Sequence, residues 1–448
     1  MYFTKKQYKF AANIRLPQRV KQLQQQTKSI IRMRKKLFSQ ITEHRRYVCI
    51  FLSIFALTYH SNVWGQGESD YVTDELVKLG FENVRWTENE NERIYSIENA
   101  AYKIQEVGIT KAIETIQKYG LPNNKRCKII VTRLDIPEIS LVHEPIMGNS
   151  KTGKWNASYE IGKSWQEVKK EKKKNSSQYK VDILIYPQLS FQNMDITKVY
   201  QAMFSLNPAI EVSLWRGMKF TGQVILPLYV DTKGYAAYPQ LYKKVRPGFI
   251  TLAQRFRLPY NIKSNATIGI FNQDQYGLDL QFFRPLKDER FSIDGNISYT
   301  GWGFWDGFSF KYNEEYQWTW SLGANFYWPQ YNVNFSLKAE QYLRGEKGVR
   351  FDMTRHFKYT SIGFYAMKAK EANSNGGFLF QVALPPYKQH RFKKLARINT
   401  SPNMGIIYNA GNERIYYKKH RAETSDKLME ENGFNPIYIE NKCLINKK

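Results

Sequence analysis

The segment Trp318–Glu340 constrains the fold more than any other part of the chain, because apolar and polar residues alternate along it. It reads WTWSLGANFYWPQYNVNFSLKAE, and the alternation pauses once, at Pro329 and Gln330. A period of two places successive side chains on opposite faces of a β-strand. The segment therefore predicts two strands joined by a tight turn, with Trp, Phe and Leu side chains gathered on one face.

The same alternation recurs from Lys180 onward in about ten to twelve segments, most of them roughly ten residues long. A membrane-spanning strand needs about 9–11 residues, whereas strands of soluble sheets most often have about 5–6. Aromatic residues make up 15% of the chain, as expected for strands that meet a membrane interface. Closure of such a sheet also removes its exposed edges. We therefore predict a mainly β fold: a transmembrane antiparallel β-barrel of about 12 strands, preceded by a small α/β domain.

The two faces of these strands predict two sets of functional residues. Polar positions would line a wet lumen or fill it as a salt-bridge network, and rings near strand ends would lie at the lipid headgroups. The predicted lumen residues are Glu211, Lys263, Asp279, Asp294, Lys338, Glu340, Arg350 and Asp352. The predicted membrane-interface aromatics are Trp302, Trp305, Trp318, Phe326, Trp328, Tyr331 and Tyr342.

The first 65 residues have the pattern of a targeting segment. The most apolar run of the chain, Tyr47–Tyr59, follows Arg45 and Arg46 and precedes small residues that end at Gly65. This order is typical of a secretory signal, and the run is short for a membrane-spanning helix. Met33 opens a shorter basic region of ordinary signal length, so we expect translation to start there. The alternative is an uncleaved N-terminal anchor.

A change of period separates the predicted domains. In the region after the signal, Ile109, Ala112, Ile113 and Ile116 have helical spacing that ends at Gly120, and short apolar runs flank this helix. The predicted organisation is a small α/β periplasmic domain over 66–150, a Lys-rich linker or loop over 151–180, the barrel over 181–420 and a C-terminal tail over 421–448.

The charge and the reactive residues limit the chemistry. The net charge of +27 favours an anionic partner such as a lipid surface or an acidic polymer, and no nucleic-acid reader motif occurs. No cysteine or histidine pair has metal spacing, so we predict no metal and no cofactor. His143 beside Glu144, and His356, are the histidines with the nearest catalytic context. We predict that the chain is not an enzyme, with a barrel hydrolase kept as an alternative.

One region resembles a known family. Tyr342–Pro386, YLRGEKGVRFDMTRHFKYTSIGFYAMKAKEANSNGGFLFQVALPP, is similar to the closing strands of the YjbH-like exopolysaccharide biosynthesis proteins, and LVKLGFENVRW resembles their α/β module. The resemblance implies a bacterial outer-membrane barrel with a periplasmic α/β domain. It also implies a role in exopolysaccharide or capsule export, with polysaccharide or the export machinery as partner.

These observations together predict an outer-membrane barrel that assists export or surface assembly of exopolysaccharide, in contact with outer-membrane lipid. Three alternatives remain. They are a porin or transporter for small solutes, a barrel enzyme acting on lipid or glycan, and a soluble secreted β-sandwich that binds glycans.

Overall fold

The computed structural model shows a mainly β protein in which a small α/β domain packs against one large sheet. It describes residues 71–122, 124–145, 154–192, 201–231, 242–271, 274–370, 374–392, 396–401, 404–409 and 435–444. The signal predicted over 1–65, with its start at Met33, lies outside these residues. Within them, every helix is too short or too polar to cross a membrane.

The small domain is built on a five-stranded sheet with the strand order β1-β2-β3-β4-β5. Strands β2 and β3 run parallel and are joined by helix α2, whereas the other neighbours are antiparallel. The elements are α1 Tyr71–Leu79, β1 Glu82–Glu88, β2 Glu92–Glu98, α2 Gln105–Tyr119, β3 Arg126–Arg133, β4 Ile136–His143, β5 Trp155–Ser158 and α3 Ser164–Val168.

Helix α2 has the apolar spacing expected from the sequence. Ile109, Ala112 and Ile116 lie on one face and are buried against the sheet. A C-terminal helix, α4 (Pro436–Leu444), completes the same core, because Tyr438 and Ile439 are buried in it. The small domain therefore contains residues from both ends of the described chain.

Residues 151–180, predicted as a linker or loop, include strand β5 and helix α3. Their lysines form ion pairs with the small domain: Lys173 with Asp135 at 2.8 Å and Lys174 with Asp74 at 2.8 Å. Part of the Lys-rich segment is therefore packed against the small domain. Its composition did not indicate this packing.

The large sheet contains fifteen strands in the order β18-β19-β6-β7-β8-β9-β10-β11-β12-β13-β14-β15-β16-β17-β20. All neighbours are antiparallel except β19 and β6, which run parallel. Its strands are β6 Val181–Gln192, β7 Gln201–Ser213, β8 Met218–Val230, β9 Arg246–Arg257, β10 Lys263–Phe271, β11 Gln275–Pro285, β12 Phe291–Asp306, β13 Ser309–Trp328, β14 Val333–Gln341, β15 Lys347–His356, β16 Thr360–Ala369, β17 Asn375–Val382, β18 Arg391–Phe392, β19 Ala396–Thr400 and β20 Met404–Asn409.

The hydrogen-bonded ladder of this sheet is not closed, since it ends at β18 on one side and β20 on the other. The prediction of a large antiparallel sheet is confirmed, but its closure and its count of about 12 strands are not reproduced in the ladder. The two ends are nevertheless close, because β20 lies against β6.

The faces of the large sheet are inverted relative to those of a soluble protein. The apolar face is exposed, with Leu322 59% and Leu337 60% accessible. The polar face is buried, with Thr319 0% and Glu340 2% accessible. A sheet packed on an aqueous core would bury the leucines and expose the glutamate.

Candidate functional site

Several predicted lumen residues lie on the polar face of the large sheet and bind polar side chains there. Asp279 accepts hydrogen bonds from Asn296 and Ser298 of the next strand, both at 2.6 Å. Asp294 accepts one from Asn325 at 2.7 Å and lies 3.6 Å from the Lys338 ammonium. These bonds join β11 to β12 and β12 to β14 across β13, so they satisfy much of the face internally.

Other predicted lumen residues form ion pairs on the same face. Arg350 forms a fork with the Asp352 carboxylate of its own strand at 2.7 Å, and its guanidinium lies 4.3 Å from the centre of the Tyr365 ring. Glu211 of β7 pairs with Lys219 of β8 at 3.0 Å. Glu340 is buried on this face.

The predicted interface aromatics divide into exposed and covered rings. Trp318, Trp328 and Tyr331 are exposed, whereas Phe326, Trp302 and Trp305 are half-buried. The Phe326 ring stacks on Phe291, and the Trp305 ring contacts Phe310. Tyr342 departs from the prediction, because it is buried with Tyr365, Met367 and Ala369. Tyr342 follows Ser336, Lys338 and Glu340 in the period of two, so its position in the alternation is that of the buried polar face.

The small domain covers the turns at one end of the large sheet, which we call the domain-side turns. In the β7–β8 turn, the Gly217 amide donates to the Leu134 carbonyl at 2.8 Å, and Arg216 pairs with Asp135 at 3.0 Å. Gly217 has φ +80°, a conformation that glycine adopts without strain. In the β11–β12 turn, Glu289 accepts a hydrogen bond from the Tyr159 amide at 2.8 Å.

The next domain-side turns contact helix α4 and the core of the small domain. Tyr327, the penultimate residue of β13, is buried in that core together with Tyr438. The His356 ring, at the end of β15, lies 6.5 Å from the Tyr438 ring. The small domain thus contacts the large sheet at the turns after β7, β11, β13 and β15, a cover that the strand pattern did not predict.

Glu138 is the electrostatic centre of this contact. Its buried carboxylate lies 2.6 Å from the Lys263 ammonium and 3.3 Å from the Arg255 guanidinium, which flank the β9–β10 turn. Burial alone would raise the pKa of Glu138, but the charges of Lys263 and Arg255 outweigh it and lower that pKa. The predicted lumen residue Lys263 is therefore a partner of the small domain rather than a lumen group.

A charged cavity of about 190 Å³ lies between the small domain and the first and last strands of the large sheet. Six basic residues line it: Lys103, Arg133, Lys180, Lys219, Arg391 and Arg397. Four acidic residues line it: Glu82, Glu98, Asp182 and Glu211. Cations therefore exceed carboxylates by two, counted from the same lining.

Most of these charges are paired across the contact between the two parts of the molecule. Arg391 lies 2.8 Å from Glu82 and 3.0 Å from Asp182, and Lys180 lies 2.9 Å from Glu82. Arg397 binds Asp182 and donates to the Ala100 carbonyl. The acids of β1 and β6 thereby hold the C-terminal strands against the small domain.

Lys103 takes part in none of the ion pairs among the described residues, although it lines a cavity rich in carboxylates. Its ammonium donates to the Leu384 carbonyl, to the Thr400 hydroxyl and to the Ser401 carbonyl, the last at 3.3 Å. Burial lowers the pKa of Lys103 to about 8. Burial also raises the pKa of Glu98, although the hydrogen bonds that its carboxylate accepts act in the opposite direction. No motif in the sequence marks either residue.

His143 and His356, the two histidines with the nearest catalytic context in the sequence, are both buried. The Nδ1 atom of His356 lies 3.0 Å from the Ser361 hydroxyl across the β15–β16 hairpin. The pair resembles two members of a hydrolytic triad, but Ser361 is fully buried, so no substrate reaches its hydroxyl. His143 is buried with its ring 5.1 Å from that of Trp155. Across the described ranges, no group of three metal-ligating side chains comes together.

The solved structures that the chain is similar to include two of low similarity. No family model matches the chain, and no curated protein matches it. The chain is similar to OmpTdeltaL8, the loop L8 deletion mutant of the outer membrane protein OmpT of Vibrio cholerae, at 8% identity and a TM-score of 0.23, over 45% of this chain and 86% of that one. It is equally similar to in-vitro folded OmpT, at 8% identity and a TM-score of 0.23, over 47% and 82%.

The prediction that the chain is not an enzyme does not stand and is withdrawn. One architecture hosts unrelated functions, so a sheet of this kind leaves catalysis open.

Proposed function

We propose that the chain is an outer-membrane β-barrel, with its small domain in the periplasm, that assists the export or surface assembly of exopolysaccharide. The observation that carries the proposal is the inversion of the large sheet. Its exposed face is apolar and its buried face is polar, which is the pattern of strands that face lipid on one side and a polar interior on the other. The same inversion argues against a soluble glycan-binding sandwich.

The strand order supports a specific way of closing the barrel. Strands β6 to β17 form one antiparallel series. At the two ends of this series, β20 pairs with β17 and β19 pairs with β6. Only residues 401–403 separate β19 from β20 in the chain. We infer that β19 and β20 are two halves of one strand, the thirteenth, which closes the barrel.

An odd number of strands has a geometric consequence that the pairing satisfies. If strands alternate in direction, the first and the thirteenth point the same way, so their pairing must be parallel. The β6–β19 pair is parallel, in contrast to every other pair of the large sheet. Bacterial single-chain barrels usually have even strand numbers, so this closure is a specific expectation rather than a generic one.

The connections favour a periplasmic position for the small domain. The two longest gaps between consecutive strands of the series β6–β17, over 193–200 and 231–245, both occur at the end opposite the domain-side turns. Outer-membrane barrels have short periplasmic turns and longer extracellular loops. The small domain, which packs on the short turns, would then face the periplasm.

The role in polysaccharide export rests on the resemblance of Tyr342–Pro386 and is narrowed by the polar face. Asp279, Asp294 and Arg350 are paired with neighbours, and the small domain covers one mouth. Large aqueous channels belong to barrels of 16–18 strands. An accessory role beside a separate export channel therefore suits this chain better than an open conduit for polymer.

Fractionation and a deletion strain test this proposal. We expect the protein in the outer-membrane fraction, with faster gel migration before boiling than after it, and we expect its deletion to reduce surface polysaccharide. Re-expression of the full chain should restore the polymer and serves as the control. A soluble protein without heat-dependent migration would refute the barrel, and unchanged surface polysaccharide in the deletion strain would refute the role in export.

A further inference from the structure

We propose that the charged cavity binds a compact oxyanion, the carboxylate or phosphate group of a small molecule or of a saccharide. The cavity lies where β2, the start of α2, β6 and the C-terminal strands meet. At about 190 Å³ it has room for roughly six waters at ~30 Å³ each, which suits a charged group and not a length of polymer.

The first argument is the charge of the lining. Six cations and four carboxylates line the cavity, so the lining carries an excess of two positive charges. A bound anion would reduce the mutual repulsion of these cations. This excess of cations over carboxylates is a local property of the cavity lining and is distinct from the net charge of the whole protein.

The second argument is the supply of hydrogen-bond donors. Lys180 contributes one contact to Glu82 at 2.9 Å, and an ammonium has three donors. The Ser177 hydroxyl also lines the cavity, whereas the Asn99 amide and the Thr132 hydroxyl already donate to protein acceptors. Charge-assisted bonds from ammonium groups to oxyanions are about twice as strong as neutral ones, so these donors favour a carboxylate or a phosphate over a neutral hydroxyl.

The third argument concerns what the lining lacks. Every residue that lines the cavity is polar, charged or a small aliphatic, and none has an aromatic ring. Neutral sugars are usually held by ring stacking in addition to hydrogen bonds, so this lining selects for charge. The N-terminal end of α2, where Ile104 provides no side-chain cap, lies at the same wall and adds positive potential.

Isothermal titration with the purified, detergent-folded full chain tests the site. The probes are inorganic phosphate, glucose 1-phosphate, glucuronate and glucose. We expect oxyanions to bind and glucose not to bind, with affinity that falls as salt rises. Equal binding of inorganic phosphate and glucose 1-phosphate identifies a free phosphate site, whereas preference for glucuronate or glucose 1-phosphate identifies the acidic group of a saccharide.

Two variants and one control assign the binding to the cavity. Lys180→Gln keeps the Glu82 carboxylate paired with Arg391, so the fold is retained, and we expect the dissociation constant to rise about tenfold or more. Lys103→Gln should weaken binding in the same direction. Lys111→Gln is the matched control, because Lys111 lies on the exposed side of α2, 3.0 Å from Glu114.

Binding of glucose as tight as that of the oxyanions, or oxyanion binding that is equal in Lys180→Gln and Lys111→Gln, would overturn the proposal. So would the absence of any oxyanion binding to the wild-type chain. The titration does not depend on where the cell places the protein, so its failure would leave the outer-membrane proposal standing, and the reverse also holds.

Discussion

Replacing Glu138 by Gln tests whether charge fastens the small domain to the large sheet. The buried carboxylate compensates the two cations Lys263 and Arg255, and Gln keeps its shape while removing its charge. Breaking a buried ion pair by removing one partner costs about 3–5 kcal/mol. Because each ~1.36 kcal/mol is a factor of ten, the opening equilibrium of this contact should rise roughly 150-fold to 5,000-fold.

The thiol of Cys127 reports this opening. It is free and buried in β3, in the core that the small domain shares with Phe283 and Tyr327 of the large sheet. Labelling by a dipyridyl disulfide then follows the population of the open state when closing is fast. Cys49→Ser and Cys443→Ser in all chains leave Cys127 as the single reporter.

Glu114→Gln is the matched control, since this exposed carboxylate pairs with Lys111 on the surface of α2. Surface pairs contribute about 0–1 kcal/mol, so labelling should rise by less than about fivefold. The pKa of Glu138 is lowered in the folded protein, so its contribution is present above the unfolded pKa of ~4.3 and is lost as the pH falls through the folded value. The difference in Cys127 labelling between wild type and Glu138→Gln should therefore disappear at acidic pH. Equal labelling of the two chains at neutral pH would refute the reasoning.

Three further predictions concern the β6–β19 pair, the two faces of the large sheet and Lys103. Ile183→Cys with Ile398→Cys, which are register partners in the parallel β6–β19 pair, should form a disulfide on oxidation in cells, whereas Ile183→Cys with Ile362→Cys should stay reduced. Leu337→Lys places a charge on the apolar face and should cost about 2–4 kcal/mol near a bilayer midplane, seen as loss of protein from the outer-membrane fraction. Its neighbour on the polar face, Lys338→Gln, should be recovered normally, and equal recovery of both would contradict the assignment of the faces. Burial lowers the pKa of Lys103 to about 8, below the ~10.4 of an unfolded lysine, so the unfolded chain binds more protons between these values and stability should rise with pH across them. Cys127 labelling should slow over that range in wild type but not in Lys103→Met.

The period-two pattern predicted the large sheet because it depends on nearest neighbours along one strand. Thr319 and Leu322 fall on the faces that alternation gives them, one buried and one exposed. The prediction for Tyr342 failed because it rested on the aromatic residue type and not on the position in the alternation. Two residues after Glu340, Tyr342 falls on the buried face.

The contact between the small domain and the large sheet could not be predicted in this way. Glu138 and Lys263 are 125 positions apart, and no local pattern distinguishes either from a solvated charge. The same holds for Lys103 and Thr400, whose hydrogen bond joins the start of α2 to the end of β19. Both contacts depend on how two folded parts are placed, which is information beyond a single strand or helix.

Helix α4 has a consequence for the order in which this protein is made. The Tyr438 hydroxyl donates to the Glu106 carboxylate at 3.1 Å, so a group near the end of the chain completes a core that begins before Glu106. Until α4 is in place, Ile109 and Ile116 of α2 would be incompletely covered. Chaperones that hold unfolded chains would then bind this domain longest, and a chain truncated before Pro436 would expose it to proteases even if every strand of the large sheet were paired.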